Sequence, residues 1–135
     1  MKTYCSLPLL LVACCGLLAT AAMAGDVYVI ANNAVVLTGD DVRDIFLADK
    51  QVAGGTKLTP IDNSAAQKEF LEKVLKIDAA KYGGIWTKKG FRDGVNPPPV
   101  KSSDAEVISM VKSTPGAIGY VISAAPAGVK VVQKY

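Results

Sequence analysis

The three cysteines of this 135-residue chain, Cys5, Cys14 and Cys15, all lie in an uncharged, largely apolar segment that extends to Gly25. Residues 25–135 contain neither cysteine nor histidine. A domain formed by them therefore has no disulfide and no Cys/His zinc site, and its stability depends on an apolar core. Because the commonest nucleophile and general base are also missing, we expect a non-enzyme with no catalytic residue, metal or cofactor.

The N-terminal segment predicts export. Lys2 supplies a basic start, residues 7–18 an apolar core, and the tripeptide Ala22-Met23-Ala24 a small-x-small cleavage pattern. We therefore expect a signal peptide at 1–24, a mature chain that begins at Gly25, and a periplasmic or secreted bacterial protein.

Two alternatives to cleavage at Ala24 remain. The uncharged run approaches the length of a membrane span, which would make it an uncleaved anchor. Residues 11–14 (LVAC) resemble a lipobox, which would make Cys14 a lipid-modified N-terminus. The lipoprotein is disfavoured because cleavage before Cys14 would leave Leu17 and Leu18 on a lipidated tail.

The charges of residues 25–135 are nearly balanced. They comprise fourteen lysines and arginines and twelve acidic residues, and positive and negative residues are interspersed along the chain. This balance does not indicate a nucleic-acid partner.

Strand-like and helix-like segments alternate after Gly25, which favours one α/β domain over 25–135. We predict strands at 27–31, 57–61, 118–122 and 129–132, and helices at 39–48, 65–76, 79–88 and from Ser103 to just before Pro115. Pro60 indicates an edge strand, because proline cannot donate to a sheet ladder. The helix at 65–76 is predicted to be the longest, with Phe70 and Val74 in the core.

Several segments in order along the chain resemble the phosphate ABC transporter substrate-binding family. The most specific is 114–121 (TPGAIGYV), preceded by 103–107 (SDAEV). Residues 44–47 (DIFL), the FLxxVL pattern at 70–75, and Trp86 ahead of Gly90-Phe91 agree as well. The resemblance implies one lobe of the type II periplasmic-binding-protein-like fold, a mixed sheet flanked by helices. Receptors of this family are normally built from two such lobes.

The resemblance also implies a small, phosphate-like anion as ligand and an ABC permease as partner. In the family a serine at a helix start helps to hold the anion, and the matching residue is Ser64, next to Asn63. Ala65 and Ala66 replace the glycine and threonine of the family pattern, but with Ser64 their backbone N–H groups form a helix start that favours anions, so both are candidate ligand contacts. Asp62 would repel an anion. The alternative interpretation of Ser64 is a helix cap that pairs with Gln67 in an S-x-x-Q capping box.

Three further residues are candidate ligand contacts, each with a structural alternative. Arg92 belongs to a basic segment that could bind an anion or form part of a solvated surface. Gly116 could allow close approach of a ligand or of packed backbone. Tyr120, like Trp86, could line a pocket or belong to the core.

Two functions follow from these patterns. The first is an exported solute-binding domain, in which a second copy of the chain could close the half-cleft of one lobe as a homodimer. The alternative is an envelope protein-interaction module that kept the fold and lost the anion site.

Overall fold

Eight short strands and four α-helices occur in residues 25–123 and 127–135, the parts of the chain that the computed structural model describes. The strands are β1 Tyr28–Ala31, β2 Val52–Ala53, β3 Thr56–Lys57, β4 Thr59–Pro60, β5 Asp62–Asn63, β6 Val100–Lys101, β7 Ala117–Val121 and β8 Lys130–Lys134. The helices are α1 Gly39–Phe46, α2 Gln67–Phe70, α3 Ala79–Asp93 and α4 Asp104–Ser113, and a π-helical turn, Leu71–Leu75, continues α2. The predicted signal peptide, with Cys14 and the possible anchor, lies outside the described residues.

The central sheet has the strand order β4-β7-β1-β8. β1 pairs antiparallel with β7 and β8, whereas β4 pairs parallel with β7, so the sheet is mixed. Pro60 lies on the edge strand β4, as predicted. A hairpin of β2 and β3 and a parallel pair of β5 and β6 complete the pairing among the described strands.

Helices cover both faces of this sheet. Val29, Ala31, Ile118 and Tyr120 point into a larger cluster with α1, α2 and α3, and the residues between them face α4 in a smaller cluster. Alternation with a period of two is what a strand buried on both faces requires. The predicted architecture, a mixed sheet flanked by helices, is confirmed.

Three aromatic rings in mutual contact occupy the larger cluster. The ring centroids of Phe70 and Tyr120 lie 3.9 Å apart with nearly parallel planes, and Phe46 meets them edge-on at 4.7 Å and 5.6 Å. Phe70 is fully buried and Val74 is 9% exposed. The prediction that both belong to the core is confirmed.

The helix predicted at 65–76 starts later and is not the longest. It begins at Gln67, with Ala66 as N-cap and no side-chain cap bond, so the Ser64–Gln67 capping box does not form. The longest helix in the described residues is α3, with 15 residues. It passes the predicted end at Lys88 because Gly94, at φ 68°, supplies a left-handed cap whose N–H donates to the carbonyl of Gly90.

Within the described ranges, none of the helices has the length and apolar character needed to cross a bilayer.

Candidate functional site

The loop that follows β5 brings four of the predicted ligand residues together. Asn63 is fully buried, and Ser64 and Ala65 are exposed beside it. The Asn63 side-chain nitrogen donates to the carbonyl of Tyr120 at 3.0 Å and to Asp104 Oδ1 at 2.6 Å. The Asn63 amide thus fastens the loop to the end of β7 and the start of α4.

The backbone N–H groups of this loop are already paired within the chain. Ser64 donates to the carbonyl of Lys101 at 2.9 Å, and Ala66 donates to the carbonyl of Asn63 at 3.1 Å. Ala65 donates to Asn63 Oδ1 at 3.1 Å. An anion at this loop would have to displace an internal acceptor, or rely on other donors such as the exposed Ser64 hydroxyl.

A carboxylate adds negative charge to the same edge of the domain. Asp104, besides accepting from Asn63, accepts from the backbone N–H of Ser123 at 3.0 Å and of Ile122 at 3.3 Å through Oδ2. Three donors that could serve a bound anion therefore already serve Asp104.

The other predicted residues lie elsewhere. Gly116 is at the opposite end of β7 from Tyr120, with φ of 82°, and a Cβ there would come 2.1 Å from the carbonyl oxygen of Lys57. Close packing of backbone against β3 accounts for this glycine. Arg92 is exposed in the last turn of α3, where its guanidinium pairs with Asp93 at 3.1 Å.

The Tyr120 side chain points into the core, so only its backbone carbonyl meets the loop. Its ring stacks on Phe70, and its hydroxyl donates to Asp62 Oδ1 at 3.0 Å. Trp86 is 6% exposed, and its indole nitrogen donates to the carbonyl of Phe46 at 3.0 Å. Tyr120 therefore belongs to the core, whereas Trp86 is buried in the core and also lines a groove at the surface.

Sequence patterns did not indicate a buried cluster of Asp62 with two tyrosines. This residue is 3% exposed, and Tyr82 Oη lies 3.0 Å from each of its carboxylate oxygens. Burial raises the pKa of Asp62 to about 6, against the opposing effect of the Tyr82 and Tyr120 hydrogen bonds. Burial, together with the Asp62 charge, raises the pKa values of both tyrosines well above their usual range.

A groove of about 650 Å³ reaches this cluster from the surface. It runs between α3 and the proline-rich segment 94–100, and its lining includes Asp62, Tyr82, Trp86, Phe91 and Pro97. A second groove of about 430 Å³ lies across the same segment, beside the β2–β3 hairpin. The described residues contain no group of three or more acidic side chains arranged to hold a metal ion.

No protein-family model matches the chain, and no curated protein matches its sequence. Its structure is similar to an ABC-type phosphate transport receptor from Vibrio cholerae, with a TM-score of 0.58 and 16% identity over 82% of this chain and 47% of the receptor. It is also similar to PstS from Borrelia burgdorferi, with a TM-score of 0.52 and 16% identity over 72% of this chain and 41% of that protein.

The chain thus spans less than half the length of the transport receptors that it resembles in structure. At this identity the similarity concerns the fold and not the ligand. The described residues form an α/β domain of the periplasmic-binding-protein type, with a mixed sheet flanked by helices.

Proposed function

We propose that this chain is an exported, non-catalytic solute-binding domain that captures a small anion of the phosphate type and delivers it to an ABC permease. The observation that carries the proposal is the similarity of its fold to about half of a phosphate transport receptor. Binding would break no bond, because the anion would be held only by hydrogen bonds from backbone N–H groups and a few side chains.

The anion would bind at the loop 63–66, through the exposed Ser64 hydroxyl and through any backbone N–H group whose internal acceptor it displaces. The paired N–H groups and the neighbouring Asp104 carboxylate both oppose an anion there. We therefore expect a monomer to bind phosphate no more tightly than about millimolar. A homodimer that brings two half-clefts together would bind more tightly.

Calorimetric titration of the purified exported protein with phosphate tests this proposal. A millimolar affinity that Ser64→Ala abolishes and that Ser109→Ala, at an exposed serine of α4, leaves unchanged would support the anion site. Undetectable binding of phosphate, sulfate and small carboxylates by monomer and dimer would contradict it.

Export is a separate part of the proposal. Cleavage after Ala24 predicts an intact mass that corresponds to a chain beginning at Gly25. A lipid-modified Cys14 or a chain that starts at Met1, found by mass spectrometry of the native protein, would contradict the predicted signal peptide.

A protein-interaction module is the second candidate function. It is favoured by apolar side chains that lie open at the surface: Phe91 is 90% exposed on α3, and Val100 is 59% exposed on β6. Both side chains line the same groove beside α3, and contiguous exposed apolar surface is typical of sites that bind another protein. This function would replace the first if no anion binds and if Phe91→Ser disrupts a complex recovered from the cell envelope without changing stability.

A further inference from the structure

Asp62 is the one buried acidic residue in the described parts of the chain. The groups that face its carboxylate are two neutral phenols, Tyr82 from α3 and Tyr120 from β7. Among the described residues, no lysine or arginine contributes to the electrostatic environment that sets its pKa. A buried carboxylate is normally paired with a cation, because desolvation of an unpaired charge is costly.

The ion pairs formed by the described residues lie at more exposed positions. Asp26, Asp49 and Asp93 pair with lysine or arginine at carboxylates that are 40% to 56% exposed, and Asp41 pairs with Lys50 at 21%. The acid that burial penalises most therefore has no cationic partner among the described residues.

The Asp62 carboxylate retains capacity for another donor. An ionised carboxylate offers about four acceptor positions. Two hydroxyl protons, one from Tyr82 and one from Tyr120, serve them here. An incoming N–H group can therefore bind without displacing either tyrosine.

The groove that reaches Asp62 has walls suited to an alkyl chain that carries a positive charge. Trp86, Phe91, Pro97 and Pro98 supply apolar and aromatic surface along its length. Aromatic faces attract cations, and apolar walls favour the methylene groups that would follow the charged head.

We propose that this groove binds compact primary alkylammonium compounds, whose –NH₃⁺ group pairs with the Asp62 carboxylate. A primary ammonium group supplies both the missing charge and an N–H donor, whereas a quaternary ammonium group supplies only the charge. This site adjoins the loop 63–66, because Asp62 directly precedes Asn63, but it uses other contacts and does not depend on the anion-binding proposal.

Titration with n-butylammonium, followed by amide NMR shifts, tests the site. We expect saturable shifts of Tyr82, Trp86 and Phe91 at about pH 7.5, and an affinity about tenfold weaker at about pH 5, where Asp62 is protonated. n-Butanol, with the same alkyl chain and no charge, should bind at least about tenfold more weakly. Equal binding of the alcohol and the ammonium compound would overturn the proposal.

Two carboxylate variants distinguish pairing of the ammonium group with Asp62 from its general attraction to acidic residues at the surface. Asp62→Asn should abolish binding and its pH dependence, because it removes the charge while keeping a hydrogen-bonding group beside the tyrosines. The matched control Asp93→Asn removes an exposed carboxylate of α3 and should bind like the unmodified protein. Unchanged binding by Asp62→Asn would overturn the proposal.

A measurement on the unmodified protein makes the test independent of how the variants fold. If n-butylammonium binds only ionised Asp62, saturation with it must lower the pKa of that carboxyl, as read from its ¹³C shift. A pKa of Asp62 that stays unchanged at saturation would overturn the proposal.

Discussion

Helices α3 and α4 lie over opposite faces of the central sheet and are held in place in different ways. α4 buries Val107 and Val111 against the sheet, and a Cβ at Gly119 of β7 would come 2.6 Å from Val107 Cγ1. α3 fully buries only Tyr82 and Trp86, and each donates a hydrogen bond, to Asp62 and to the carbonyl of Phe46.

The difference shows two ways to dock a helix. Aliphatic packing has no preferred direction, so α4 should be sensitive to added volume and indifferent to pH between about 7.5 and about 5. Two aromatic anchors with polar partners hold α3, while Gly83 and Gly84 leave open space on it. α3 should therefore be sensitive to loss of an anchor and to the protonation of Asp62.

Removal of an α3 anchor should have the largest effect. Trp86→Ala loses a buried aromatic side chain and leaves the Phe46 carbonyl without its donor, which should cost about 3–5 kcal/mol of unfolding free energy. Urea denaturation measures this loss, and hydrogen exchange should show α3 amides opening before those of α4. Phe91→Ala, on the same helix but 90% exposed, is the control and should cost less than about 0.5 kcal/mol.

Added volume beneath α4 should have the next largest effect. Gly119→Ala places a methyl group against Val107 and should destabilise the protein by about 1–3 kcal/mol. Gly83→Ala is the matched change on α3, where a Cβ meets nothing within 4 Å. It should stabilise the helix by up to about 1 kcal/mol. Equal effects of the two substitutions in thermal melts would contradict the proposed difference between the helices.

A change of pH should have the smallest effect, through α3. The pKa of Asp62 is raised to about 6 in the folded protein, so the folded state binds the proton more tightly than the unfolded chain does. Stability should rise by about 1.4 kcal/mol as pH falls from about 7.5 to about 5, and be lost again as pH rises through 6. Chemical denaturation at a series of pH values measures this slope.

The matched variant isolates Asp62. Asp62→Asn should remove the rise in stability between about pH 7.5 and 5. Hydrogen bonds lower the pKa values of three other carboxyl groups: from Lys50 to Asp41, from Arg92 to Asp93 and from Ser102 to Glu106. The stability that these ionised groups contribute is therefore lost only at lower pH. A slope that survives in Asp62→Asn would show that another group carries it.

Sequence patterns predicted α4 well because its signals are local. Ser103 caps the helix by accepting from the N–H of Glu106 at 3.3 Å, and Val107 and Val111 are buried at helical spacing. The same holds for α1, in which Val42, Ile45 and Phe46 are buried at helical spacing. In both helices the capping residue and the spacing of the apolar residues indicate the same helix.

Patterns were less informative for α3 and for the start of α2. Gly90 suggested the end of a helix, yet α3 continues to the left-handed Gly94. Ser64 and Gln67 matched a capping box, but the Asn63 side chain accepts the N–H of Ala65 instead. In both places a nearby residue is equally suited to cap the helix, and the spacing of residues in the sequence does not show which of the two forms the cap.

The candidate site residues show the same division. The sequence grouped residues 63–66, which are neighbours in the chain and remain so in the fold. It also named Gly116 and Tyr120 as candidate contacts with a ligand, but these residues lie at opposite ends of the extended strand β7.

The sequence by itself determined the α/β architecture, the apolar core around Phe70 and the absence of cysteine and histidine after Gly25, because periodicity, caps and composition act over a few residues. Only the tertiary structure decided that Asp62 is buried between two tyrosines, 20 and 58 residues away along the chain. A carboxylate after a strand has the same local pattern whether it faces solvent or a helix that packs over it. Its burial, and hence its raised pKa, depends on where α3 and β7 bring their hydroxyl groups.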